Sequence, residues 1–270
     1  MENTDIIRDH IQTSFIDLFS TSQLASIPSL GPVPFAPRIL EEESLSLETP
    51  CSPCEVKLSL WSMKPFKAPS PDGLHPGGVD NVIIAQELLH SMHRKKGRVG
   101  QLILKVDLEK AYDRLEWCFI HEVLLFFLFP KSLVDLILDC VSSFSISILF
   151  NGGKMEVFKP SRGIRQGNPL SPYLFILYLE YLSLKIFGAC HEKRWKPIKA
   201  SRSGPAFSHL FFADDLLLCY VASHECCNTI IEVLEEFCSI SGQKINLSKS
   251  KAYFSLNVDP ILRGSFVGSL

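Results

Sequence analysis

The chain has 270 residues, 46% hydrophobic and 21% charged, with a formal net charge of −2; this is ordinary globular usage and excludes a disordered or collagen-like chain. At roughly 100 to 200 residues per domain it allows one large domain or two small ones. The longest uninterrupted apolar runs, such as 123–129, which closes at Pro130, are seven residues, far short of the roughly 20 residues that span a bilayer.

No membrane segment is therefore expected. Glu2, Asp5, Arg8 and Asp9 leave no apolar secretory core at the start, so the expected address is intracellular, nucleus or cytoplasm, with the nine cysteines reduced. The charge is uneven. Residues 1–55 hold nine acidic and two basic side chains, leaving a balance of +5 for 56–270. Basic residues cluster at 93–98 and 193–202, which by itself reads as solvated surface and only with further support as a nucleic-acid footprint.

In chain order, the apolar spacing of residues 6–19 predicts an amphipathic helix. Six prolines between Ile27 and Pro53, around the acidic run 41–43, predict a loosely packed linker or arm over 1–54. A short helix near 55–63 precedes the irregular loop Lys67-Ala68-Pro69-Ser70-Pro71-Asp72-Gly73. Then follow a helix over 81–94, a strand over 101–107, helices at about 116–128 and 131–142, and a hairpin of 144–150 with 154–159 turned by Asn151-Gly152-Gly153. A glycine-bearing loop, 161–169, leads into a helix starting at Ser171-Pro172 and reaching about 187. Residues 210–221 read as a second hairpin with Asp214-Asp215 in its turn. A helix over 224–240 stopped by Gly242 and a short strand near 252–255 complete an α+β order of elements, with a tail at 257–270.

The chemistry gathers at three places. Asp214 and Asp215 sit in an apolar hairpin, where buried carboxylates need a partner and a cation is the natural one. Taken alone, an Asp-Asp turn is ordinary turn chemistry. A second strand end of the same kind, Lys105-Val106-Asp107, supplies a third carboxylate, and the three together suit the hard-oxygen cage that Mg²⁺ prefers. Two such ions, about 3.5 to 4 Å apart, would serve an in-line phosphoryl displacement. The loop Ser161-Arg162-Gly163-Ile164-Arg165-Gln166-Gly167-Asn168-Pro169 suits an anion or nucleotide, since glycines admit close backbone approach, arginines bind phosphate, and a helix start adds partial positive charge. Cys51-x-x-Cys54 has no second ligand pair at zinc spacing and reads as plain thiols.

Phe212-Ala213-Asp214-Asp215 resembles the Y/F-x-D-D box of reverse transcriptases. Residues 104–117, with Asp107 and Tyr112, resemble their first catalytic motif, and Gly163-Ile164-Arg165-Gln166-Gly167-Asn168-Pro169-Leu170-Ser171-Pro172 resembles their second. With 67–73, 80–87 and 241–250, six blocks stand in the order of LINE-type (non-LTR) retrotransposon polymerases, especially those of plants, over about 55–256. The resemblance implies a right-hand polymerase palm, an antiparallel sheet backed by helices. It implies an RNA-directed DNA polymerase acting on RNA template, DNA primer and dNTPs with two Mg²⁺ ions. No protein partner is inferable.

By the same resemblance, Asp107, Asp214 and Asp215 are the metal ligands, and Tyr112 is the steric gate under the sugar. Arg165, Gln166 and Gly167 line the nucleotide pocket, and Lys244, or as second choice Lys249, protonates the leaving pyrophosphate. The departures are equally specific. Only 74–79 stands where the family carries most of its fingers, Asn168 replaces the usual Asp and Ser70 the usual Gly, and neither thumb nor endonuclease is expected. The alternative is a catalytically dead palm remnant with at most weak nucleic-acid binding.

Overall fold

The computed structural model describes residues 2–21, 30, 38–50, 52–55, 58, 76–201, 203–212 and 215–269. The expected loop 67–73, most of the expected helix 55–63, Cys51 and the residues Ala213 and Asp214 lie outside them.

The centre of the fold is β1 (Gln101–Asp107). It pairs antiparallel with β7 (Asp215–Val221) on one side and with β8 (Lys251–Phe254) on the other, and β6 (His209–Phe212) closes the far edge, giving the order β6-β7-β1-β8. The small pairs β2 (Leu149–Phe150) with β3 (Gly153–Lys154) and β4 (Ile198–Lys199) with β5 (Ala206–Phe207) stand apart from this sheet. Alternation along the central strands gives the sheet two different faces. Leu102, Leu104 and Val106 stand opposite Tyr220, Leu218 and Leu216, and all six are buried. They form the main core with α5 (Trp117–Phe126), α7 (Ser171–His191) and α8 (His224–Ser241). Its centre is aromatic: the Phe119 ring meets Tyr178, Tyr181 and Phe237 edge-on at 6.4, 5.8 and 6.0 Å, geometries that match ring quadrupoles.

The opposite face starts apolar and ends charged. Ile103 and Cys219 pack under Leu88 and Met92 of α3 (Pro76–His93), while the next two positions of β1 on this face are Lys105 and Asp107. Here α3 is tied to the edge strand by Asn81, whose Nδ2 donates to Phe211 O at 3.0 Å.

Helix α7 is apolar enough, on length and composition, to cross a membrane. It is a core helix: eleven of its 21 residues are buried. Helix α8 is capped at both ends, by Ser223 Oγ accepting from Cys226 N and by Gly242 in the left-handed region at φ 75°. A Cβ on Gly242 would lie 2.6 Å from Glu116 Cγ and 2.7 Å from Arg114 O, so the stop also makes room for a neighbouring segment.

The structure differs from the sequence-based expectations at several elements. The helix expected at 116–128 is shorter, ending at Phe126 before Leu128 takes the left-handed region at φ 64°, and a single turn, α4 (Ala111–Arg114), precedes α5. After α6 (Lys131–Ser142), the expected hairpin pairs over only two residues per strand, extended by the isolated bridge between Ile146 and Phe158. The tail at 257–270 contains α9 (Pro260–Ser269), held by Phe266, which is buried and stacked on Phe254 at 6.2 Å, and by Arg263 donating to Val258, Ser255 and Leu256 carbonyls. Along its described length the N-terminal arm buries no side chain, yet it is helical and anchored at a few points. Helix α1 (Glu2–Leu18) docks through its C-terminal turn, and α2 (Glu41–Glu48) forms within the acidic run, where Glu43 accepts from Leu40 N at 2.8 Å. Ile39 N donates to Phe127 O at 3.1 Å and fixes the arm to the end of α5. The eight described cysteines are all free, and burial raises those of Cys219 to about 12 and of Cys190 to about 11, out of the range of reactive thiolates.

His209 lies between Ser183 Oγ at 2.9 Å and Ser208 Oγ at 3.0 Å, and burial lowers its imidazole to about 4. The unfolded chain therefore takes up a proton below about pH 6.5 that the folded chain refuses until about pH 4, so stability falls as pH drops through that window. Between pH 7 and pH 5 the wild type is expected to lose about 1–2 kcal/mol more than His209→Gln, measured by urea unfolding at both pH values. Equal losses in the two proteins would remove His209 as the cause.

Candidate active site

The site grows from the β1–β7 register. Asp107 and Asp215 are direct cross-strand partners, the last pair of a ladder that begins at Gln101 opposite Val221. Directly opposed residues project from the same face with Cβ atoms about 4.5–5.5 Å apart, so two of the three nominated carboxylates share one end of one face. Asp214, the third, lies outside the described residues.

Lys105 precedes Asp107 by two residues and so shares its face. Its Nζ lies 2.6 Å from Asp215 Oδ1, with both side chains partly open to solvent. That hydrogen bond holds the ammonium above its ordinary range, with the Asp215 and Asp107 charges adding to it. A carboxylate pair that already draws a cation is one with negative charge to spare. The sequence reading assigned Lys105 no role, although the i, i+2 spacing on a strand was the available signal.

Beyond Asp107 the chain is tied down on one side. Asn246 N donates to Asp107 O at 2.8 Å, Glu109 N donates to Lys244 O at 2.8 Å, and Ser250 Oγ accepts from Asp107 N at 3.2 Å. The segment 244–250 thus fixes the backbone at the acidic end. It also brings Lys244 there: its exposed Nζ lies 4.0 Å from Glu109 Oε2. Lys249 is exposed, held by its backbone in the turn that follows Asn246.

Tyr112 follows from a sharp change of direction. Lys110 takes the left-handed conformation, φ 53° and ψ 49°, which is uncommon for a residue with a Cβ, and turns the strand into α4. Gln243 Nε2, itself buried, holds that turn by donating to Ala111 O at 2.8 Å. The Tyr112 ring then lies flat on Phe175 of α7, centroids 4.5 Å apart and planes 7° apart.

The loop 161–169 is stitched to the same segment. Gly163 N donates to Leu115 O at 2.8 Å, Ile164 N to Tyr112 O at 2.9 Å, and Trp117 Nε1 to Gly163 O at 2.7 Å. Of the two arginines expected to face an anion, the loop offers one. Arg162 is buried and turned inward, with Nη1 3.2 Å from Glu116 Oε1. Arg165 is exposed, its guanidinium 5.5 Å from the centre of the Phe144 ring, and Gln166 and Gly167 beside it are exposed as well. Asn168 accepts from Leu170 N at 2.9 Å and shapes the entry into α7.

An apolar cleft of about 220 Å³ opens on the sheet face between α3 and the acidic end, walled by Leu88, Leu89, Ile103, Leu217 and Tyr253 and rimmed by Lys105 and Asp215. Among the described residues no three His, Cys, Asp or Glu side chains gather as a metal site.

Residues 55–261 match the family described as reverse transcriptase (RNA-dependent DNA polymerase). The chain belongs to that family. Reverse transcriptases act on nucleic acid and use divalent metal ions, and the match runs five residues past the boundary expected at 256. A Pol polyprotein from the type-2 retrotransposable element R2DM of Drosophila melanogaster, a non-LTR element, is 30% identical over 173 residues, which is 64% of this chain and 15% of that one. An uncharacterized mitochondrial protein of Arabidopsis thaliana is 45% identical over 75 residues, 28% of this chain and 62% of that one. The chain thus spans under two thirds of the length of either relative. Among solved structures, telomerase from Candida tropicalis in complex with a fragment of telomeric RNA overlays with a TM-score of 0.48 at 13% identity, covering 74% of this chain and 33% of that one.

Gly163 has φ 92°, and a Cβ there would lie 2.6 Å from Asp113 O. Gly163→Ala forces either the loop or α4 to move and is expected to cost about 1–3 kcal/mol, read by urea unfolding. An unchanged midpoint would mean that the close approach between loop and α4 is dispensable.

Proposed function

We propose that this reverse transcriptase domain copies RNA into DNA by nucleotidyl transfer with two Mg²⁺ ions, using an RNA template, a DNA primer and deoxynucleoside triphosphates. The observation that carries the reading is the pairing of Asp107 with Asp215 at the open end of the sheet, inside the stretch that matches the family. The donor set fits the ion. It offers hard carboxylate oxygens from two strands, without sulfur or nitrogen, which suits Mg²⁺.

Asp107, Asp214 and Asp215 are the residues that would hold the metal, with Lys105 as the cation to be displaced from Asp215. Bound there, the ions would activate the primer 3′-hydroxyl and stabilise charge on the departing pyrophosphate. The remaining residues bind and orient. Tyr112, braced flat by Phe175, presents a wall beneath the incoming sugar where a 2′-hydroxyl would clash. Arg165 supplies a guanidinium for triphosphate oxygens, and Gln166 and Gly167 let the backbone approach the nucleotide. Lys244, at the acidic end, donates a proton to the pyrophosphate oxygen as its bond to the α-phosphorus breaks.

A second reading, a catalytically dead palm, is favoured by the short 74–79 stretch and by Asn168. Rate in phosphoryl transfer depends on positioning, and a balance of +5 over 56–270 leaves few cations to displace counterions from a nucleic-acid backbone. Primer extension on an RNA template with Mg²⁺ decides between them. Slow, salt-sensitive synthesis is expected, reduced at least about 10²-fold by Asp107→Asn with the fold intact. No synthesis by the folded wild type would favour the dead palm, and synthesis unaffected by Asp107→Asn would refute the site.

A further inference from the structure

Helix α1 lies outside the stretch that matches the family, yet its C-terminal turn ends on the loop that carries Arg165, Gln166 and Gly167. The last turn of any helix leaves carbonyls without intrahelical partners and carries partial negative charge. In α1 these are met by Arg162, whose Nε donates to Leu18 O at 2.8 Å and whose Nη2 donates to Asp17 O at 3.4 Å. The preceding residue of the loop root completes the joint. Ser161 N donates to Phe19 O at 2.8 Å, Ser161 Oγ accepts from Thr21 N at 2.8 Å, and the Phe19 ring sits 6.4 Å from that of Phe158.

Arg162 has a third obligation. Its Nη1 pairs with Glu116, which is 1% exposed and sits against Gly242 at the end of α8. A buried carboxylate without its cation is costly, and so is a buried guanidinium without its acceptors. One fork therefore joins α1, the segment 111–117 that carries Tyr112, and the root of the loop. Elsewhere α1 leaves Ile6, Ile7 and Phe15 exposed and, among the described residues, is held only by Gln12 Nε2 donating to Glu156 O at 3.3 Å.

We infer that α1 is a working part of the nucleotide site: through Arg162, a positioning residue, it sets the root of the 161–169 loop and so the placement of Arg165 and Gln166. The assignment of that loop to a nucleotide rests on the function proposed above; the coupling of α1 to the loop does not.

Hydrogen exchange by mass spectrometry on the full chain separates the two. In Arg162→Ala, exchange is expected to rise about tenfold in both α1 and residues 161–169 while β1 and β7 keep their protection. Phe19→Ala loosens the same joint from the helix side and carries the test if Arg162→Ala does not fold. Arg162→Lys keeps the charge toward Glu116 but loses the planar fork, and is expected to fall between wild type and Arg162→Ala. The concentration of dTTP with Mg²⁺ that half-protects the loop is expected to rise about tenfold in Arg162→Ala. Release of α1 without any change in the loop would overturn the inference, as would retention of α1 in both alanine variants. A loosened loop with an unchanged dTTP requirement would leave the coupling standing and overturn the nucleotide assignment of the loop.

Discussion

Everything in this chain depends on the antiparallel pairing of β1 with β7 in one register. Strand side chains alternate with a period of two, so a slip by one residue would turn Leu102, Leu104 and Val106 out of the core and Asp107 into it. The penalty for that exchange sets the register strongly. It is the main core, built on Leu216, Leu218 and Tyr220 opposite these residues, that forces Asp107 and Asp215 to meet on the other face. The acidic pair is held in place by hydrophobic burial on the far side of the same strands.

A second layer of order comes from hydrogen bonds between backbone segments. The residues after Asp107 are tied to 244–250, α4 is tied to Gln243, and 163–164 are tied to 112–117. Three stretches remote in sequence thereby share one small region, and each brings a chemically able side chain: Lys244, Tyr112 and Arg165. Because these ties are to backbone atoms, Lys244 and Arg165 keep exposed side chains, while Tyr112 is half-buried against Phe175.

Much of this was legible in the sequence, and the limits have physical causes. The strand 101–107 is legible at its true bounds because an apolar run that starts just after Gly97 and Gly100 and ends at a carboxylate has few other solutions. Asp215 stands out in the sequence because charge in an apolar hairpin is costly, and Asp107 because it ends an apolar strand; the structure pairs these two. Arg162 differs from its expected role, since sequence alone does not tell a guanidinium facing solvent from one capping a remote helix; it meets the backbone carbonyls of Leu18 and Asp17, about 145 residues away. The Lys105–Asp215 pair escaped for a related reason, the register being known only once β7 is placed. Helix α9 was taken for a tail because its hold depends on Phe266 reaching Phe254 and on Arg263 meeting carbonyls before it, contacts that no periodicity announces.

The central claim is that the opposed carboxylates of β1 and β7 form a cation site. Mn²⁺ titration followed by electron paramagnetic resonance tests it directly on wild type, Asp107→Asn and Asp215→Asn, without any need for turnover. The account predicts bound Mn²⁺ in the wild type and an affinity at least about tenfold weaker in each variant. The same affinity in all three proteins would contradict it.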